Sequence, residues 1–270
     1  MIKKSIANCF TLLNMVLGLS SIIIIALSLD RSNVSFDLAN HYICLSCYII
    51  FIAAVIDVFD GKIARKLGTS GEFGKQIDSL ADLISFCFYP SFLLFGYFYN
   101  QKHNPVISDW FIYICISFPL IFGAIRLAKF NAYPLYSESD DYLGLPTPAN
   151  GMFIASMILF LVLYDNGANL FVDWLHDFLN NENNLPIIVS LFSSLLMVTK
   201  VKYYKFPAIS FNLDMKNTII LMNILFFLIL IIIGFIYNML SVILFVSIFY
   251  YILTGLLRSF LSPIFNNKSR

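Results

Sequence analysis

Residues 57–82 read DVFDGKIARKLGTSGEFGKQIDSLAD, and the architecture of the chain follows from them. Asp57 and Asp60 stand three residues apart, and Asp78 and Asp82 four apart. Either spacing places two side chains on one face of a helix. The flanks are apolar: CLSCYIIFIAAVI precedes the first pair and LISFCFYPSFLLFGYFY follows the second. The expectation is one helix ending in a carboxylate pair, a polar turn, and a second helix opening with another pair. Folded antiparallel, the two helices bring four acids together. Such a cluster is costly in a low dielectric unless cations neutralise it. Carboxylates with no neighbouring His or Cys suit hard, oxygen-seeking ions, Mg2+ or Mn2+. The plainer alternative is two acid-bearing helix ends facing water. Against it stand the small and basic residues that accompany the acids, Gly61, Ala64, Arg65 and Gly74.

Composition sets the class. The 270 residues are 59% hydrophobic, 17% aromatic and only 12% charged, with a mean hydropathy of +0.81. Soluble domains average about 25% charged residues, so the chain reads as an integral membrane protein built from long apolar runs. A net charge of +1 excludes a whole-chain case for nucleic-acid binding. Cys44 and Cys47 have the spacing of a redox or zinc pair but lie at the start of an apolar run without a second pair. They read as buried small residues.

An all-α polytopic bundle with eight spans is predicted, near 12–29, 42–60, 78–99, 110–128, 148–165, 186–200, 218–237 and 239–257. The first is a retained span, not a signal peptide, because no small-residue cleavage site follows it. With the N-terminus in the cytoplasm, all of the 17 basic residues except Arg31 and Lys102 fall on the inner side. That agrees with the positive-inside rule and puts the acid motif on the cytoplasmic side of a multi-pass protein of the cell membrane. His41, His103 and His176 all fall in predicted external segments, which leaves proton transfer to an aspartate. The external segment 166–185 reads as a solvated loop or short interfacial helix with no chemistry.

FGAIRLAKFNAY (122–133) carries Arg126 and Lys129 at the cytoplasmic end of the fourth span. Snorkelling explains Lys129 well. Arg126 sits deeper, where its planar fork suits phosphate oxygens. GLPTPANG (144–151) reads as a re-entry turn with Pro146 and Pro148 at a helix start, and Asn150 is placed to bond across the bundle or touch substrate. MVTKVKYYKFPAI (197–209) is basic and aromatic, suited to anchoring at anionic lipid or to lining the mouth of a site.

The pattern D-x2-D-G-x2-A-R-x8-G-x3-D-x3-D over residues 57–82 resembles the signature of the CDP-alcohol phosphatidyltransferases without a departure. TLLNMVLG (11–18), FGAIRLAKFN, GLPTPAN and MVTKVKYYKFP extend the likeness over about 200 residues, toward the phosphatidylserine synthases of bacteria and archaea. The resemblance implies a six-helix core, residues 1–206, and a C-terminal extension, residues 207–270, with two further spans. It implies transfer of a phosphatidyl group from CDP-diacylglycerol to L-serine with release of CMP, assisted by two divalent cations. Carried over by position, Asp57, Asp60, Asp78 and Asp82 are metal ligands and Asp82 is also the general base. Gly61, Ala64, Arg65 and Gly74 hold the cytidine diphosphate; the substrate contacts expected of Arg126 and Lys129 come from their place at the end of the fourth span and not from the motif. Membrane lipids are the surroundings, and homodimerisation, common in the family, is a further expectation.

Two alternatives stay open at this level. Within the same chemistry, the acceptor could be glycerol 3-phosphate or inositol phosphate. In another class, the acids could line a cation transporter, although four of them gather at one edge and not at mid-bilayer.

Overall fold

The computed structural model describes residues 2–30, 32–66, 71–100, 109–133, 141–164, 170–181, 185–204, 229–237 and 239–266. Nine α-helices are delimited among them: α1 (Ile2–Ser28), α2 (Phe36–Lys66), α3 (Glu72–Asp82), α4 (Tyr89–Asn100), α5 (Asp109–Ala132), α6 (Thr147–Leu163), α7 (Leu170–Asn181), α8 (Leu185–Leu196) and α9 (Leu240–Asn266). A π-helical segment, Leu83–Phe88, joins α3 to α4 without a break. Residues 229–236 are helical as well.

Five helices are long and apolar enough to cross a membrane: Cys9–Ser28, Phe36–Phe59, Glu72–Asn100, Trp110–Ala132 and Leu240–Ser259. Their outer faces carry exposed Leu, Ile, Val and Phe side chains. In water that would be a liability, but in lipid tails it is the matching surface. The chain is a multi-pass membrane helical bundle. Most of the predicted seventh span, 218–237, lies outside the described residues. The turn that follows residues 229–236 is visible, closed by the Met239 N–H on the Gly234 carbonyl at 2.8 Å.

The buried axis is α6. Residues 153–161 along it are buried without interruption, and α2, α4, α5, α8 and α9 all pack against it. Helices without an aqueous driving force for association need close backbone approach, which small residues supply. A Cβ on Gly18 of α1 would stand 2.8 Å from the Ser85 Cα, one on Gly123 of α5 2.9 Å from the Cys87 Cβ, and one on Gly151 of α6 3.1 Å from the Phe86 backbone. Three helices thus close on the π-helical segment immediately after Asp82.

Two details differ from the sequence expectation. The α2 helix does not end at its acid pair but runs on to Lys66, and α3 starts at Glu72, so Asp78 and Asp82 occupy its last two turns. The sequence between the pairs is helix-compatible, and Glu72 in the first turn of α3 complements the helix dipole. The bundle also carries a two-stranded element. β1 (Asp141–Leu143) pairs antiparallel with β2 (Lys202–Tyr204), Asp141 opposite Tyr204. Tyr203 is fully buried there, packed on Tyr251 of α9, and therefore is not a lipid anchor.

Candidate active site

Asp57 faces the last turns of α3 from the middle of α2. One carboxylate oxygen from each of Asp57, Asp78 and Asp82 can be chosen so that all three lie within 4.8 Å of one another. The two halves of the acid motif therefore do converge. Asp60 follows Asp57 by one turn of α2, and its side chain lies outside the described residues, as do those of Gly61, Ala64 and Arg65 on the same helix. Gly74 is on α3, one turn before Asp78.

Around the acids the bundle supplies polar groups from three other helices. From α1, Asn14 is fully buried and its Nδ2 donates to Asp57 Oδ1 at 3.2 Å. Its backbone carbonyl accepts the Ser85 hydroxyl at 3.0 Å, which couples α1 to the π-helical segment. From α6, the Thr147 hydroxyl donates to Asp82 Oδ2 at 3.3 Å. From α5, the buried Arg126 reaches Thr147 Oγ1 through Nη1 in a long contact of 3.5 Å. Two further bonds tie the end of α5 to α3: Asn131 Nδ2 to Ser79 Oγ at 2.8 Å, and Lys75 Nζ to the Phe130 carbonyl at 3.4 Å. Lys75 also stands over the Phe130 ring, 5.5 Å from its centroid.

The entry loop into α6 sets the position of Thr147. Gly144 has a φ of +77°, a conformation only Gly adopts readily, and a Cβ there would press on the Met197 carbonyl. Its N–H bonds the Val201 carbonyl at 2.8 Å, and the Leu145 N–H bonds that of Leu196 at 3.0 Å. Pro146 caps α6 and a proline opens its first turn, as the sequence indicates. Asn150 bonds across the bundle to Ser194 Oγ at 3.4 Å.

A divalent cation fits these residues. The donor set is all oxygen, and Asp82 Oδ1 is buried with no protein partner among the described residues. An orphaned buried carboxylate oxygen is expensive, and a hard cation would satisfy it. Arg126 Nε is likewise buried, with no partner among the described residues. Thr147 stands between the two side chains, bonded to Asp82 Oδ2 and in long contact with Arg126 Nη1. Lys129, one turn beyond Arg126, is half-exposed and does not join this set.

The family model described as CDP-alcohol phosphatidyltransferase matches residues 4–180. The chain belongs to the CDP-alcohol phosphatidyltransferase family. Among its relatives is the CDP-diacylglycerol–serine O-phosphatidyltransferase of Helicobacter pylori, 29% identical over 210 residues, 77% of this chain and 75% of that protein. The protein of the same name from Methanocaldococcus jannaschii is 27% identical over 203 residues, 75% of each chain. The archaetidylserine synthase of Methanothermobacter thermautotrophicus is 30% identical over 150 residues, 55% of this chain and 56% of its own. As a CDP-alcohol phosphatidyltransferase the chain is an enzyme, which removes the transporter alternative.

Asn14, Thr147, Ser79 and Asn131 had no role assigned from sequence. For Asn14 a signal existed, since a carboxamide inside an apolar span is costly unless it finds a hydrogen-bond partner. Thr147 sits among helix-start residues, where a hydroxyl has an ordinary explanation.

Proposed function

We propose that the chain transfers a phosphatidyl group from CDP-diacylglycerol to the hydroxyl of L-serine, giving phosphatidylserine and CMP. The observation that carries this reading is the junction of Asp82 and Arg126 through Thr147. A proton acceptor stands beside a guanidinium that can pair with the carboxylate of an amino acid or with a phosphate. The shared name of the Helicobacter and Methanocaldococcus relatives supports serine as the alcohol.

In this reading Asp57, Asp60, Asp78 and Asp82 hold two divalent ions, Mg2+ or Mn2+. When bound, these supply charge neutralisation to the pyrophosphate and to departing CMP. Gly61, Ala64 and Gly74 let the nucleotide approach the backbone, and Arg65 pairs with its phosphate. Asp82 takes the proton from the serine hydroxyl as that oxygen bonds to the phosphorus bearing the diacylglycerol. The bond from this phosphorus to the CMP oxygen breaks, and the electron pair leaves with CMP. A carboxylate is a weak base for an alcohol, so proton transfer must accompany attack, and positioning by Thr147 serves that purpose. Ser79 and Ser85, near the acids, have no His partner among the described residues, and direct attack is the favoured route. Arg126 and Lys129 bind the acidic parts of the substrates.

The same reading puts the N-terminus and the active site on the cytoplasmic side, a six-helix catalytic core in residues 1–206 and a two-helix extension in 207–270. It also includes assembly as a homodimer. CMP release by the purified protein tests it, with CDP-diacylglycerol, Mn2+ or Mg2+ and each alcohol in turn. Release with L-serine is expected; release only with glycerol 3-phosphate or inositol phosphate overturns the acceptor assignment.

A further inference from the structure

The C-terminal helix α9 lies beyond the residues that the family model matches, yet it is bonded to the strand that leads into the site. Arg258 Nη1 bonds Asp141 Oδ1 at 2.9 Å, with the two side chains 35% and 22% exposed. Asp141 opens β1, and the chain from it to Thr147 is only six residues long. Over that stretch the backbone has little freedom. β1 is paired with β2 through Leu143 and Lys202, Gly144 is held on Val201, and Leu145 on Leu196. The next side chain, Thr147, joins Asp82 to Arg126.

A second contact runs through the aromatic residues. Gly255, one turn before Arg258, lies so close to Tyr203 of β2 that a Cβ would overlap its ring. Tyr203 packs in turn on Tyr251, ring centroids 5.6 Å apart. Further along α9, Phe245 stacks on Phe160 and Phe153 of α6, which fixes the helix to the bundle axis.

We propose that α9 is a positioning element of the active site, with the Arg258–Asp141 pair clasping β1 so that Thr147 and Arg126 keep the geometry that receives the acceptor alcohol. Arg258 and Asp141 are positioning residues, since neither touches the acid cluster. The clasp is half-shielded from water, so its coupling exceeds that of a fully exposed pair. It rests on the site reading above, in which Arg126 and Asp82 serve the acceptor.

Steady-state CMP release by full-length protein in mixed micelles, with L-serine and CDP-diacylglycerol varied separately, tests the clasp. Arg258→Ala should raise the KM for serine about fivefold, while the KM for the CDP-lipid stays within about twofold and the melting temperature within a few degrees. Arg258→Lys should recover most of the loss. The exchanged pair, Asp141→Arg with Arg258→Asp, should recover more activity than either single reversal. Unchanged constants in Arg258→Ala overturn the inference. So does a loss shared by both substrates that follows the melting temperature and that the exchanged pair does not repair, because it marks a purely structural contact. If the wild type prefers another alcohol, the serine reading falls, and the clasp is judged by that alcohol's KM on the same criteria.

Discussion

Thr147 donates its hydroxyl to Asp82 at 3.3 Å across 65 residues of sequence, and the same oxygen accepts Arg126 Nη1. One small side chain thereby links Asp82 to the buried Arg126 guanidinium. Thr147→Val keeps the shape and removes both bonds. It should lower kcat about tenfold, the scale of one charge-assisted hydrogen bond, without loss of folded protein in detergent. Thr147→Ser should retain most of the activity.

Asp82→Asn should abolish turnover, by about a thousandfold or more, the upper range for removing a general base, and should leave the helical content unchanged by circular dichroism. Binding of CDP-diacylglycerol, followed by protection against thermal unfolding, should persist. Near-normal turnover in this variant would remove Asp82 as the base.

Asn14 does not touch a substrate in this reading, but it orients Asp57. Partners that orient metal ligands typically contribute ten- to a hundredfold in metal affinity or activity. Asn14→Leu should therefore raise the Mn2+ concentration needed for half-maximal activity about tenfold, with activity largely restored at saturating metal. An unchanged metal requirement would show that Asp57 holds its place without α1.

Chelation supplies the complementary test. Dialysis against EDTA should silence the enzyme, and addition of Mg2+ or Mn2+ should restore it. The chelated protein should also melt at lower temperature, because a ligand that binds only the folded state stabilises it by mass action. Activity that survives complete chelation would contradict cation neutralisation of the three converging carboxylates.

Gly18 tests the packing that surrounds the site. A methyl group there meets Ser85, 2.8 Å from its Cα, in a π-helical segment also pressed by α5 and α6. Gly18→Ala should destabilise the protein by about 1–3 kcal/mol, as overpacking does. It should lower activity further by moving Asp82, three residues before Ser85. The measurement is thermal unfolding in detergent alongside CMP release.

The convergence of Asp57, Asp78 and Asp82 was readable in the sequence because helical spacing and the cost of clustered charge both act locally. The helical ends were less legible. Asp78 and Asp82 lie in the last two turns of α3 where the sequence suggested they would open it, since EFGKQI contains no proline to stop a helix. The re-entry at GLPTPANG followed from its prolines and glycines. Its partner strand, Lys202–Tyr204, was hidden because a three-residue strand has no periodicity to detect. Tyr203 read as an interfacial anchor or part of the site's mouth for the same reason, yet it is fully buried.

By itself the sequence determined the membrane class, the helical architecture, the acid motif and the presence of a deep arginine. Each is a property of composition or of neighbours a few residues apart. Only the tertiary structure decided that Asn14 serves Asp57, that Thr147 bridges Asp82 and Arg126, and that Arg258 on the last helix holds Asp141. Those pairs lie 43 to 117 residues apart, apart from Arg126 and Thr147 at 21. Their meeting depends on how closely backbones pack at a few glycines, and no single stretch of chain encodes that.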